Sequence, residues 1–299
     1  MTTATRHDEY PSRVASEPSI EPRRDPVVYP ATGAEPDVLT RPALLEYERD
    51  GYLVLPDVFT PEETTEMRAE LDALVVRAEV RADPRTVLEP NDDTVRSIFE
   101  VNQLSDLFAR VLADARLVEV ARRLLGDAVY IHQSRVNLKP ALKGKEFFWH
   151  SDFETWHVED GMPRMRALSC SIALTDSTEF NGPLMVIPGS QNWYVACVGE
   201  TPEHHYEQSL RRQEYGTPDG KSLRRLVDGG GIVAPKARAG TVVLFECNMM
   251  HASGVNLSPY PRSNVFVVYN SVDNALEAPY GVDEPRPSYI ANRDPTPIT

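Results

Sequence analysis

Apolar residues recur at helical spacing in the first half of the chain. The segment TPEE at 60–63 has the order of an N-cap, a first-turn proline and a capping-box glutamate. The apolar residues that follow three and four positions apart predict a helix from 61 to about 79; they are Met67, Leu71, Leu74 and Val75. Two more helices are predicted at about 103–113 and 115–125, the second ending at Gly126.

After Gly126 the pattern changes to short runs of β-branched and other apolar residues. These runs predict strands at 129–138, 166–175, 183–187, 241–246 and 264–271. Turn signals such as Asn-Gly-Pro and Pro-Gly separate several of them, and strands do not alternate with helices. A helical front followed by many short strands predicts a mainly β fold with flanking helices, either a β-sandwich or a jelly roll.

Two regions lack a clear apolar period. Residues 1–40 are rich in proline and charge, and we expect an irregular N-terminal arm there. The polar stretch 195–235 is interpreted as an excursion between strands, either a solvated loop or a lid. The rest, 41–299, is expected to be a single domain. Its predicted parts are helical support over about 41–128, a β core over about 129–273 and a C-terminal segment over 274–299.

Composition narrows the class of protein. The 299 residues carry a formal net charge of −14, which disfavours nucleic acid and anionic membranes as partners. No apolar run of about 18 residues and no secretory signal are visible, so we expect a cytoplasmic protein. The three cysteines, Cys170, Cys197 and Cys247, are scattered along the chain, and we interpret them as buried thiols rather than disulfides or zinc ligands.

The segment FFWHSDFETWH at 147–157 carries the strongest candidate chemistry. His150 and Asp152 project from the same face if the segment is extended, and His251 follows the predicted strand at 241–246. Two histidines and one carboxylate occupy one face of an octahedron and leave three positions for a 2-oxo acid and O2. This arrangement suits Fe(II) better than structural zinc, which favours a closed site with four ligands.

The His-x-Asp spacing is common by chance, and other histidines compete as ligands. His204 and His205 lie in the polar excursion and are interpreted as surface residues, whereas His157 could lie near the site or at the surface. The prediction therefore depends on what surrounds His150 and Asp152.

Arg262 lies at the start of the predicted strand that follows His251, and Asn264 and Phe266 project from the same face of that strand. A 2-oxo diacid needs a cation for its far carboxylate, and a guanidinium offers a two-pronged match. Ser253 is a small donor that could assist. Taken alone, Arg262 could equally be a turn residue after a proline.

The strand at 129–139 places polar residues on one face and apolar residues on the other. The polar residues are Gln133, Arg135, Asn137 and Lys139. Such a face is either solvent-exposed or lines the interior of a barrel that binds a polar ligand. Trp156, close to the candidate ligands, is either a cavity wall or an ordinary core residue.

The string FFWHSDFETWHVEDGMPRMR at 147–166 resembles the phytanoyl-CoA dioxygenase-like group of iron- and 2-oxoglutarate-dependent enzymes, and within it the members that hydroxylate ectoine. Supporting stretches extend the resemblance over nearly the whole chain: YPSR at 10–13, RRDPVVY at 23–29, QSRVNLKP at 133–140 and PRSNVFVVYNSVDN at 261–274.

The resemblance implies a double-stranded β-helix (cupin-like jelly roll) core and a homodimer. It also implies conversion of the compatible solute ectoine, 2-oxoglutarate and O2 into 5-hydroxyectoine, succinate and CO2. Related enzymes that halogenate lack the carboxylate ligand, so Asp152 argues for hydroxylation. The alternatives are a related hydroxylase of another small amino-acid-like substrate and, less favoured, a metal-binding jelly roll without catalysis.

The resemblance also assigns residues by position. The implied iron ligands are His150, Asp152 and His251. The residues implied around 2-oxoglutarate are Asn137, Lys139, Phe147, Ser253, Arg262 and Asn264. Those implied around ectoine are Gln133, Thr155, Trp156, Ser171, Phe266 and Arg286, of which Arg286 would take the carboxylate and Trp156 would face the cationic ring.

Overall fold

The computed structural model describes residues 7–31, 38–89, 93–204, 206–210, 213 and 215–299. Its helices are α1 (Arg41–Asp50), α2 (Pro61–Val76), α3 (Ala78–Arg81), α4 (Val101–Leu104), α5 (Asp106–Leu112), α6 (Ala115–Leu125), α7 (Asp152–Thr155), α8 (Tyr206–Ser209) and α9 (Gly220–Gly230). A π-helical turn, Trp156–Asp160, continues α7, and two 3₁₀ turns lie at Ser190–Asn192 and Val272–Asn274. Within these ranges, no helix has the length and apolar character needed to cross a membrane.

The strands form three antiparallel sheets. They are β1 (Ser19–Pro22), β2 (Tyr52–Leu55), β3 (Thr86–Leu88), β4 (Val95–Phe99), β5 (Val129–Lys139), β6 (Phe147–His150), β7 (Ala167–Ala173), β8 (Leu184–Val186), β9 (Trp193–Ala196), β10 (Val242–Glu246), β11 (His251–Ser253) and β12 (Arg262–Ser271). The large sheet has the order β2-β10-β7-β12-β5-β4-β3, the small sheet has the order β6-β11-β8, and β1 pairs with β9.

Both faces of the large sheet contribute residues to an apolar core, as the alternation along β12 shows. Val265, Val267 and Tyr269 belong to a core shared with the helices, whereas Phe266 and Val268 pack into a second core with β8 of the small sheet. A sheet covered by helices on one side and by a second sheet on the other is the jelly-roll arrangement. The fold is therefore a double-stranded β-helix with helices outside, as predicted.

Capping residues fix the ends of the supporting helices. Thr60 accepts a hydrogen bond from the main chain of Glu63 at 3.2 Å, and the Glu63 carboxylate accepts one from the Thr60 N–H at 2.7 Å. Helix α6 ends at Gly126 with φ +64°, where a Cβ would lie 2.3 Å from the carbonyl oxygen of Pro30. The predicted capping box and the predicted stop at Gly126 are both confirmed.

Several predicted boundaries are wrong for local reasons. The helix predicted over 61–79 ends at Val76, because Arg77 is extended and a separate turn, α3, follows. The helix predicted over 103–113 begins at Asp106, because the Ser105 side chain caps it by accepting from Phe108 N–H.

The two regions expected to be irregular also contain regular structure. Within the arm predicted over 1–40, β1 pairs with β9; residues 1–6 and 32–37 lie outside the described ranges. The excursion predicted over 195–235 contains α9, whose first turn is capped by Asp219 and which includes Gly229 and Gly230. The three cysteine thiols are buried, as expected.

Candidate metal centre and its two cavities

The small sheet brings the candidate ligands together. In the pairing of β6 with β11, His150 lies directly opposite His251. Ser151 is extended (φ −105°, ψ 129°), so Asp152 returns to the same side as His150 before α7 begins. The Nε2 atoms of His150 and His251 lie 3.5 Å and 3.8 Å from the two Asp152 carboxylate oxygens. All three residues are buried, with one donor atom from each within 4.8 Å of the others.

Main-chain carbonyls set the tautomers of both histidines. His150 Nδ1 lies 2.7 Å from the Phe148 carbonyl oxygen, and His251 Nδ1 lies 3.0 Å from that of Met249. Each carbonyl can only accept, so each Nδ1 carries a proton and Nε2, next to Asp152, is the nitrogen left to bind a metal ion. This donor set fits a divalent metal ion held by two neutral imidazoles and one carboxylate.

The electrostatics of His251 and Asp152 agree with that role. Burial, followed by the neighbouring His150, lowers the pKa of His251 to about 4, so its imidazole is neutral at neutral pH. Burial would raise the pKa of Asp152, but the nearby His251 and His150 hold it well below its usual range. Both groups are thus already in the deprotonated forms that metal binding requires.

A larger cavity opens beside the histidines on the large sheet. Strands β5 and β12 supply its polar wall in register, with Arg262 opposite Lys139 and Asn264 opposite Asn137. The cavity is lined by every residue that the resemblance placed around 2-oxoglutarate: Asn137, Lys139, Phe147, Ser253, Arg262 and Asn264. Lys139 Nζ donates to Ser253 Oγ and, at 2.6 Å, to the Gly254 carbonyl oxygen.

The larger cavity concentrates buried positive charge. Burial lowers the pKa of Arg262 to about 10, and burial together with Arg262 and Arg96 lowers the pKa of Lys139 to about 6. Among the described residues, the buried Nε atoms of Arg135 and Arg262 have no hydrogen-bond partner. Buried unpaired cations are costly, so this cavity fits a small dianion that would pair with them.

A smaller cavity lies on the other side of Asp152. It is lined by four of the six residues that the resemblance placed around the substrate: Gln133, Thr155, Trp156 and Arg286. The other two, Ser171 and Phe266, line the larger cavity instead. Arg135, Phe147, His150 and Leu210 border both cavities, so the two spaces meet at the metal centre.

The open alternatives for the remaining histidines can now be resolved. His157 is fully buried, with its ring nitrogens 2.7 Å from the Met162 carbonyl oxygen and 2.8 Å from an Asp8 carboxylate oxygen. It therefore supports the turn that follows the ligands and is not part of the metal cluster. His204 is exposed, as expected, and His205 lies outside the described residues.

Sequence reasoning left several lining residues out of the site. Arg135 lies over the ring of Phe266, with its Cζ 4.4 Å from the ring centroid. The available signal was that Arg135 shares a face of β5 with Gln133 and Asn137, which were assigned to the site. Glu159 lies in the π-helical turn that continues α7, and the sequence pattern gave no separate signal for it. Gln213 and Leu210 come from the excursion, where nothing in the local pattern indicates that they reach the cavities.

A double-stranded β-helix with a buried His-Asp-His cluster between a cation-lined cavity and a second pocket defines an iron- and 2-oxoglutarate-dependent dioxygenase. The profile of the phytanoyl-CoA dioxygenase (PhyH) family matches residues 47–264. The chain belongs to this family.

Individual relatives match over nearly the full length. The ectoine dioxygenase of Sphingopyxis alaskensis is 52% identical over 96% of this chain and 93% of its own. That of Halomonas elongata is 48% identical over 95% and 86%. The crystal structure of EctD from S. alaskensis with 2-oxoglutarate and 5-hydroxyectoine superposes with a TM-score of 0.87, at 46% identity, covering 98% of this chain and 100% of that one.

Replacing Asp152 by Ala tests the metal cluster. The variant should keep its fold but lose Fe(II) affinity by more than the ten- to hundredfold that is typical when an outer partner of a ligand is removed. Anaerobic calorimetry with Fe(II) measures the affinity, and far-UV circular dichroism checks the fold. His204→Ala, at an exposed histidine, is the control and should bind Fe(II) normally. Unchanged affinity in Asp152→Ala would place the metal elsewhere.

Proposed function

We propose that this protein hydroxylates ectoine to 5-hydroxyectoine, using Fe(II), 2-oxoglutarate and O2 and releasing succinate and CO2. The observation that carries the proposal is the full-length similarity to ectoine dioxygenases, combined with a site whose two cavities meet at the metal cluster. We also propose that the enzyme works in the cytoplasm as a homodimer, which rests on the family resemblance and the sequence alone.

His150, Asp152 and His251 are proposed to hold the iron. Once bound, iron with 2-oxoglutarate and O2 supplies the oxidising chemistry that inserts one oxygen atom into a C–H bond of the substrate. The protein positions both organic substrates and keeps bulk water out. The carbonyls of Phe148 and Met249 keep the imidazoles in the ligating tautomer.

The larger cavity is proposed to bind 2-oxoglutarate. Arg262 would receive the distal carboxylate, because its guanidinium is buried and its Nε lacks a partner among the described residues. Lys139 and Ser253 lie next to that position, since Lys139 Nζ donates to Ser253 Oγ and Arg262 Nη2 lies 3.5 Å from the same hydroxyl. The supporting residues are Asn137, Phe147 and Asn264.

The smaller cavity is proposed to bind ectoine, a zwitterion with a cationic ring and a carboxylate. Trp156 offers an aromatic face for the ring, and the buried Thr155 hydroxyl has no hydrogen-bond partner among the described residues. Arg286 uses two of its five N–H donors on Asp160, at 2.8 Å and 2.5 Å, and can offer others to the substrate carboxylate. Gln133 lines the same space, while Ser171 and Phe266 would contact ectoine from the larger cavity.

The proposed activity has a direct assay. Purified protein supplied with Fe(II), ascorbate, 2-oxoglutarate and O2 should release succinate and form 5-hydroxyectoine only when ectoine is present. Chromatography quantifies both products. Succinate release that ectoine does not stimulate would contradict the substrate, and stimulation by a different small amino acid derivative would identify a related hydroxylase instead.

Arg262→Ala should raise the KM for 2-oxoglutarate while leaving the KM for ectoine near its wild-type value. The loss of a charge-assisted hydrogen bond, about 1.5–3 kcal/mol, corresponds to roughly ten- to hundredfold in KM. Arg262→Lys should fall in between, because an ammonium keeps the charge but not the two-pronged geometry. An unchanged KM for 2-oxoglutarate would remove Arg262 from the site.

Binding of 2-oxoglutarate should take up a proton at Lys139. The pKa of Lys139 is lowered to about 6 in the empty cavity, and an adjacent dianion would raise it. Above pH 6, up to the pKa in the complex, the affinity should therefore fall as pH rises, by up to about tenfold per pH unit. Calorimetry in buffers of different ionisation enthalpy measures the uptake. It should vanish in Lys139→Met and persist in Lys145→Met, an exposed control; heats independent of buffer would contradict it.

A further inference from the structure

The N-terminal arm is fastened directly to the helix that follows Asp152. The Ser12 hydroxyl donates to a Glu154 carboxylate oxygen at 2.6 Å and accepts from the Cys197 N–H at 2.9 Å. The Arg13 N–H donates to the Cys197 carbonyl oxygen at 2.9 Å. These contacts bury a short piece of the arm, Ser12 and Arg13, between α7 and the segment after β9.

All three guanidinium nitrogens of Arg13 donate hydrogen bonds at this junction. Its Nε and Nη2 donate to the two Glu154 oxygens at 2.9 Å and 2.7 Å. Its Nη1 donates to Glu159 at 2.7 Å and to the Thr201 hydroxyl at 2.8 Å. The side chain is 3% exposed, and the backbone has φ 60°, a left-handed conformation that residues other than glycine rarely adopt. Such conformations persist where surrounding contacts hold them and are frequent at functional sites.

Glu159 connects Arg13 to the smaller cavity. It lines that cavity, and while one of its oxygens binds Arg13, the other lies 3.5 Å from Arg286 Nε. The same Nε of Arg286, together with Nη2, donates to the two oxygens of Asp160 in a bidentate contact. Two guanidinium groups, Arg13 and Arg286, thus share the Glu159 carboxylate from opposite directions.

We propose that Arg13 is a positioning residue for substrate recognition, acting through Glu159 on the orientation of Arg286. Three carboxylates, on Glu154, Glu159 and Asp160, face the two guanidinium groups, and all five side chains are buried. Glu159 normally pairs with both arginines. Without Arg13, the Glu159 carboxylate pairs with Arg286 alone and draws the Arg286 guanidinium away from the substrate carboxylate. This inference rests on the proposed function of the smaller cavity.

The close approach of Gly216 is an independent observation that this junction is tightly packed. It comes from the excursion, has φ +65°, and covers the ion pair so tightly that a Cβ would lie 2.2 Å from a Glu154 oxygen and 2.6 Å from Arg13 Nη2. The same excursion supplies Gln213 and Leu210 to the smaller cavity. Arg13 therefore joins the arm, the excursion and the ligand-bearing helix at one point.

The test is Arg13→Gln in the full-length enzyme. The KM for ectoine, and the dissociation constant for ectoine measured by anaerobic calorimetry on the Fe(II)- and 2-oxoglutarate-loaded protein, should both rise roughly ten- to hundredfold. The KM for 2-oxoglutarate should stay near wild type, because its proposed partners Lys139 and Arg262 lie in the other cavity. A purely structural role for Arg13 would not separate the two substrates in this way.

Arg13→Lys is the conservative partner, since it keeps the charge but cannot reach both glutamates with a planar fork. It should show the same selective loss for ectoine, but a smaller one. If Arg13→Gln does not fold, the same constants are measured on Arg13→Lys. Arg24→Gln is the matched control from the same arm, because Arg24 is half exposed and pairs with Glu9 at the surface. It should leave both constants unchanged.

An ectoine affinity unchanged in Arg13→Gln, or losses of equal size for ectoine and 2-oxoglutarate, would overturn the inference. So would an Arg13→Lys variant as impaired for ectoine as Arg13→Gln. These outcomes presuppose wild-type enzyme that turns over ectoine. If the wild-type protein does not bind ectoine at all, the proposed function fails instead, and the two failures are thereby distinguished.

Discussion

The antiparallel register of β6 and β11 is the constraint on which the metal cluster depends. It sets His150 opposite His251, and a shift by one residue would turn one imidazole to the other face of the sheet. The register is secured outside the sheet by Asn248, which accepts from the Ser151 hydroxyl at 2.9 Å and donates to the carbonyls of Gln191 and Trp193.

A second buried arginine of the arm supports the same register from the β11 side. Arg23 pairs with Glu246 at 2.9 Å, and Glu246 accepts from the Asn248 N–H at 2.6 Å. Removing one partner of a buried ion pair typically costs about 3–5 kcal/mol, because the other charge is left uncompensated. The turn that leads into His251 is therefore held by long-range contacts as well as by hydrogen bonds within the turn.

The charges of the two cavities differ, which agrees with the proposed placement of the two organic ligands. The larger cavity gathers the guanidinium groups of Arg135 and Arg262, whose buried Nε atoms have no hydrogen-bond partner among the described residues, next to the amine of Lys139. The smaller cavity balances Arg286 against Glu159 and Asp160. A dianion gains the most electrostatic interaction energy in the larger cavity, and a zwitterion loses the least in the smaller one. The electrostatics of the two cavities therefore favour the proposed placement of each ligand.

Local pattern predicted the parts of the site that depend on strand parity. The shared side of His150 and Asp152, the shared face of Asn137 and Lys139, and that of Arg262 and Asn264 all follow from residues two apart on an extended chain. The capping box of α2 was equally local. The placement of Ser171 and Phe266 in the larger cavity depends instead on how β7 and β12 pair, which no single segment specifies.

Contacts between distant segments were beyond sequence reasoning. Gln213 lines a cavity from a stretch interpreted as a loop or lid, and helix α9 was missed because the whole polar stretch was interpreted as an excursion between strands. Whether the stretch closes over the site stays a prediction. Arg13 belonged to a quoted motif, YPSR, but only the folded chain shows that it contacts Glu154 and Glu159.

The π-helical turn at Trp156–Asp160 receives contacts from both flanks of the β core. Arg13 reaches Glu159 from one side, and Arg286 and Arg293 reach Asp160 from the other. During synthesis, His150, Asp152 and His251 all leave the ribosome before Arg286 does. The metal ligands are therefore complete in the chain before Arg286 of the smaller cavity has been added, so the donor set and that cavity depend on different lengths of the sequence.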